Sequence, residues 1–169
     1  MTAVLATDQN QEYFISPSKG KRQFEDVIED VIAFVHEDEQ SKYEIVVGTD
    51  SERHLDRADF VSVVTVHRIG KHGRYFWKRM PAIRAFDHHD RMLKEAVFSL
   101  DLAQRVVAAL RDRIPEHLYQ FEIHLDIGHN GPTKTMIQEI VGMITGNGFV
   151  ARIKPESYAA NKVADRHVS

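Results

Sequence analysis

The sequence predicts an α/β fold built on a mixed five-stranded sheet. Three antiparallel strands come first, parallel β/α units follow, helices flank the sheet, and one extra helix precedes it. Three observations predict this. Three apolar, β-branched runs succeed one another with no helical period between them, as in an antiparallel meander. Helical and strand periods then alternate, which implies parallel strands joined by crossovers. Finally, two runs have the same grammar, Ile45-Val46-Val47-Gly48-Thr49-Asp50 and Ile123-His124-Leu125-Asp126. Each reads as a buried strand that delivers one carboxylate at its C-terminal mouth.

Composition bounds the rest. The chain has 169 residues, with 43% hydrophobic and 28% charged, an ordinary globular profile large enough for a real core. It has no cysteine, which excludes disulfides, thiolate zinc sites and cysteine nucleophiles. No apolar run approaches the roughly 20 residues that span a bilayer, so no membrane partner is expected. Residues 1–12 lack a basic patch followed by an apolar block, so no secretory leader is read and the expected location is cytoplasmic. The formal net charge of −3 offers nucleic acid no global attraction, so any such binding needs a local basic surface.

Taken in order, residues 1–20 read as a loose arm, and the domain is expected over residues 21–169. Phe24, Val27, Ile28, Val31, Ile32 and Val35 then form one helical stripe with acidic residues outside it. Residues 43–49 form the first strand, and the polar residues 51–59 read as a connection. Residues 60–67 are a second strand, Gly70 to Gly73 a hairpin turn, and residues 74–80 a third strand that Pro81 limits. Asp87 is placed to cap a long helix over residues 88–113, with Met92, Ala96, Leu100, Ala103, Val107 and Leu110 as its apolar face and Glu95 on the flank. A fourth strand covers residues 121–127. Thr133 starts a helix that stops at Gly146-Asn147-Gly148, a short strand covers residues 149–153, and Ser157 caps a last helix over 158–167.

The chemistry follows from that order. If the two Asp-ended strands are neighbours, Asp50 and Asp126 meet at the edge where ligands sit in open α/β sheets. Glu95 from the long helix and Asp165 from the last helix can reach the same place. Four crowded carboxylates repel one another and rise in pKa unless a cation neutralises them. An oxygen-only set suits Mg²⁺ or Mn²⁺, and two such ions about 4 Å apart support phosphodiester cleavage. Each residue also has a plainer reading. Asp50 and Asp126 suit strand-exit turns, Glu95 a solvated helix flank, and Asp165 an exposed charge. His124, alternating inside a strand, reads as a packed histidine, whereas His129 in the following turn is better placed for a metal or phosphate.

Several stretches carry a family resemblance. Gly48-Thr49-Asp50-Ser51, His124-Leu125-Asp126-Ile127-Gly128, Glu139-Ile140-Val141-Gly142-Met143, Lys154-Pro155-Glu156-Ser157-Tyr158-Ala159-Ala160 and Val163-Ala164-Asp165-Arg166-His167 resemble the YkuK-type ribonuclease H-like family of bacteria. The likeness runs over residues 43–167 and implies a single ribonuclease H-like domain with that core. It further implies that Asp50 and Asp126 are shared metal ligands, Glu95 a third, and Asp165 a ligand on the leaving-group side. The family's own function is uncharacterised.

For substrate contact the candidates are Trp77, Lys78 and Arg79 with Arg74 and Arg84 nearby, because basic residues with an interleaved aromatic suit phosphates and stacked bases. Ser51 and His129 join them, and so does Lys134 at a helix start, where a phosphate is favoured. Trp77 equally suits a core, and the basic residues suit edge-strand protection. The function expected is a metal-dependent nuclease acting on RNA or an RNA–DNA hybrid. The alternatives are a non-catalytic module that binds nucleic acid or protein, and a nucleotide-binding ATPase-related domain. The last is disfavoured because such proteins place a cleft between two domains. The oligomeric state is not readable.

Overall fold

A computed structural model describes residues 12–128 and 133–157. Its elements run β1 (Tyr13–Ser16), β2 (Gly20–Gln23), α1 (Phe24–His36), β3 (Tyr43–His54), β4 (Arg57–Arg68), β5 (Gly73–Arg84), α2 (His88–Leu110), a 3-10 turn (Glu116–Leu118), β6 (Tyr119–His124), α3 (Lys134–Gly146) and β7 (Val150–Arg152). They form one mixed sheet in the order β2-β1-β5-β4-β3-β6-β7. The antiparallel half is β3-β4-β5, and β6 and β7 join in parallel. The architecture is the expected one, with seven strands in place of five.

The two additional strands correct the reading of residues 1–20 as a loose arm from Tyr13 onward. Tyr13, Phe14, Ile15 and Ser16 alternate in burial, and Gly20 turns the chain at φ +71°. Four residues give too short a period to be heard against a polar neighbourhood. The hairpin docks on the outer strand at Ile15↔Trp77.

Residues 51–59 also differ from the expected connection. They continue β3 and β4 into a long ribbon that turns at Leu55 and Asp56, with Leu55 at φ 61° and His54 opposite Arg57. A ladder of backbone hydrogen bonds needs no apolar side chains, so polarity alone did not end the strands. Pro81 likewise does not stop β5. Between the pairs Phe60↔Met80 and Ala58↔Ile83, β5 has one residue more than β4, and this bulge takes up Pro81. The Ala82 N–H, freed from the ladder, donates to Asp59 Oδ1 (2.8 Å).

The described helices share one face of the sheet, where Ile45, Val47, Val64, Val66, Ile123 and Leu125 meet Val31, Met92, Val106 and Ile140 in a continuous core. Asp87 caps α2 as expected, accepting from the Asp90 N–H (2.8 Å), and Thr133 caps α3 through the Met136 N–H (3.2 Å). The buried stripe of α2 is rotated from the expected one. It runs Met92, Glu95, Ala96, Ser99, Leu102, Ala103, Val106 and Leu110, so Glu95 belongs to the buried face and not its flank. Polar Ser99 and Glu95 hid that stripe, since a hydrophobic period cannot report a polar residue that is buried. No described helix is long and apolar enough to cross a membrane.

Candidate functional site

Two parallel strands that part company create the candidate site. β3 and β6 pair up to Gly48↔His124. Past that point β3 stays with β4 as far as His54. The chain after β6 follows β7 instead, with the Leu125 N–H on the Arg152 carbonyl (2.9 Å) and the Lys154 N–H on the Ile127 carbonyl (2.8 Å). Each chain delivers its carboxylate where the two diverge. By strand alternation, Asp50 and Asp126 belong to the same face. Asp50 is buried, and the Asp126 side chain keeps about a quarter of its surface exposed. Asp50 Oδ1 accepts from the Ser51 N–H (2.8 Å).

Glu95 comes to this fork from the second turn of α2. Beneath it a polar layer ties the helix to the sheet: Ser99 Oγ donates to Thr49 Oγ1 (2.9 Å), which lies 2.7 Å from Ser62 Oγ. Glu95 itself is only 8% exposed, and its carboxyl accepts from the Ser51 hydroxyl. Burial pushes the Glu95 pKa up to about 8 against the pull of the Ser51 bond; Asp50 and Asp126 push it further up, and Arg91 opposes them. Near neutral pH this group therefore holds its proton in the metal-free protein. That Asp50 and Asp126 both raise it shows that acids from β3, α2 and the end of β6 share one electrostatic neighbourhood.

Lys154, two residues beyond β7, stands in one of the family-like stretches but was given no site role by the sequence. Its backbone bond to Ile127 carries the side chain over the fork, where Nζ lies 2.5 Å from Asp126 Oδ1. The Asp126 bond and the charges of Asp126 and Asp50 raise the lysine pKa, so the ammonium stays charged. A signal existed. The short strand of a β-α-β unit ends at the same edge as Asp126, and a lysine lies two residues past that end.

The other candidates fall in different places. Ser51 is at the fork through its bond to Glu95. The register Asp50↔Val61↔Arg79 puts Arg79 on the face of Asp50, two strand spacings or about 10 Å away, and Trp77 follows on that face. Arg79 pairs with Asp59. Lys78 points to the helix side, where Glu12 joins it to Arg105. Lys134 is exposed at the first residue of α3. His129 and Asp165 lie outside the described residues.

A second group of ligand-type atoms occupies the same face deeper along the strands. Among the described residues, Glu44, Glu122 and His124 offer ligand atoms all within 4.8 Å of one another, and the Asp50, Glu95 and Asp126 set does not. His124 is the buried histidine expected, with Nε2 2.9 Å from Glu122 Oε2. Glu122 Oε1 takes both the Nε (3.2 Å) and Nη2 (3.1 Å) of Arg152. This guanidinium supplies the positive charge that the buried Glu122 needs. At the fork two of the acids have partners of their own, Glu95 in Ser51 and Asp126 in Lys154. Their donor set is all oxygen, which fits a hard divalent ion and not zinc.

Comparison with known proteins agrees with the topology. A family model described as Ribonuclease H-like matches residues 26–169. A Bacillus subtilis (strain 168) protein called uncharacterized protein YkuK is 34% identical over 163 residues, covering 90% of this chain and 95% of that protein.

Proposed function

Because the chain belongs to the ribonuclease H-like family, we propose that it is a divalent-metal-dependent nuclease, or a related phosphodiester-processing enzyme, acting on RNA or an RNA–DNA hybrid. One observation carries the reading: the buried Glu95 carboxyl, bonded by the Ser51 hydroxyl, stands at the fork to which β3 and the chain after β6 bring Asp50 and Asp126, and burial with the charges of both raises its pKa. A carboxyl so placed is stabilised as an anion by an added cation. Asp50, Glu95 and Asp126 would hold Mg²⁺ or Mn²⁺, with Asp165 as the fourth ligand. When bound, such ions supply an activated water and a counter-charge for the leaving oxygen. The protein's own groups do the rest. Glu95 would hold the ion as its carboxylate, and Ser51 Oγ, already bonded to that carboxyl, would orient it. Asp50 and Asp126, one from each arm of the fork, would present their carboxylates to a phosphodiester at this edge of the sheet. Arg79 and Trp77, on the face of Asp50, meet the neighbouring phosphate and base.

The test is cleavage of end-labelled RNA–DNA hybrid, single-stranded RNA and single-stranded DNA with Mg²⁺ or Mn²⁺. Asp50→Asn is expected to lower cleavage at least about 100-fold. Cleavage that survives Asp50→Asn unchanged removes the site assignment. A second reading, a non-catalytic nucleic-acid-binding module, is favoured by the partners that Lys154 and Ser51 already give two of the acids. Binding of nucleic acid without uptake of Mn²⁺ would select it.

A further inference from the structure

We propose that Lys154 is the built-in counter-ion of the carboxylate site, competing with a divalent cation for Asp126 and so setting the affinity of the site for metal. The inference rests on the metal reading above. Three observations support it. First, Nζ sits on Asp126 Oδ1 at 2.5 Å, the atom that a cation entering the fork would need. Second, the placement is built in by the backbone, because the Lys154 N–H is held by the Ile127 carbonyl at 2.8 Å, one residue from Asp126. Third, the charge of Asp50 also acts on this ammonium, so both acids of the fork lie within its electrostatic reach.

A unit positive charge bonded to one ligand opposes a divalent ion in two ways. It must release Asp126 before that oxygen can coordinate, and it repels any ion a few ångströms away. A buried acid on this face shows the alternative outcome: Glu122 is held by Arg152 through two nitrogens and by His124. At Asp126 the partner is a single-point lysine ammonium on a flexible stem, about half exposed, which can leave without opening the core. Lys154 is thus a positioning residue that acts on the metal through Asp126.

Isothermal titration with Mn²⁺ alone tests this on the full chain, comparing wild type with Lys154→Met and Lys154→Arg near neutral pH. Circular dichroism and thermal unfolding confirm the fold of each variant. Lys154→Met is expected to bind Mn²⁺ about tenfold more tightly than wild type, and Lys154→Arg, which keeps the charge, to stay close to wild type. In an Asp126→Asn background the gain from Lys154→Met should vanish, since the competition is for that carboxylate. If Lys154→Met binds Mn²⁺ at wild-type affinity or more weakly, the proposal is overturned. It is equally overturned if the gain persists undiminished with Asp126→Asn, which would mark a diffuse charge effect. Absence of Mn²⁺ uptake by both wild type and Lys154→Met would instead remove the metal reading itself.

Discussion

Glu95→Gln probes the site without requiring a substrate. Gln has the shape of the protonated carboxyl and can accept from the Ser51 hydroxyl, but it cannot ionise. In the folded protein Glu95 holds its proton to about pH 8, whereas in the unfolded chain it titrates near its ordinary 4.5. Because the raised pKa belongs to the folded state, unfolding releases a proton between those two values. Wild-type stability therefore falls as pH rises through that window and levels off outside it. The interval from 4.5 to about 8, at about 1.4 kcal/mol per tenfold change in proton affinity, corresponds to about 5 kcal/mol. Urea unfolding in EDTA, followed by the single tryptophan, Trp77, measures it. Near pH 5 the two proteins should lie within about 1 kcal/mol of each other. Near pH 8.5 the Gln variant should be more stable by about 4 kcal/mol. Mn²⁺ added at the higher pH should stabilise wild type and narrow the gap. A difference that stays constant with pH would refute the reasoning, because it would mean that Glu95 ionises in the fold as freely as in the unfolded chain.

Two further predictions concern the frame that holds the site. Asp59→Ala removes the acceptor of the Ala82 N–H at the β5 bulge and should cost about 1 to 2 kcal/mol in urea unfolding, with Asp59→Asn retaining most of the stability. A loss no larger for Ala than for Asn would show that the bulge does not depend on that bond. Asp87→Ala deletes the cap of α2 and should cost about 1 kcal/mol. Hydrogen exchange should quicken first at the start of α2, the end nearest Glu95; uniform quickening along the helix would contradict a local cap.

Much of the frame was legible in the residues because it rests on local physics. The stripe of α1, the Asp87 and Thr133 caps, and the apolar runs of β3, β4 and β6 follow from periods and side-chain chemistry within a few residues of one another. The acids that follow two apolar strand runs, Asp50 and Asp126, were visible for the same reason, although β3 runs on past Asp50 to His54. The errors also have a local cause. Pro81 signals a strand end by its missing N–H, and nothing near it in sequence reveals that Asp59, on the neighbouring strand, accepts the bond that the bulge frees. The polar tip of the β3–β4 ribbon sounds like a loop because backbone ladders leave no trace in composition.

The amino-acid order by itself determined the succession of helices and strands, and with it which acids follow the apolar runs of β3 and β6. Tertiary structure decided which strands part company, and therefore how the acids are treated. Pairing of β6 with β7 brings Lys154 onto Asp126, although the two are far apart in the chain. Rotation of α2 about its axis buries Glu95 and raises its pKa, whereas a helix flank would have left it solvated. Charge interaction and desolvation depend on distance and burial, quantities that no one-dimensional period encodes, and so the electrostatic character of the site was settled only in the fold.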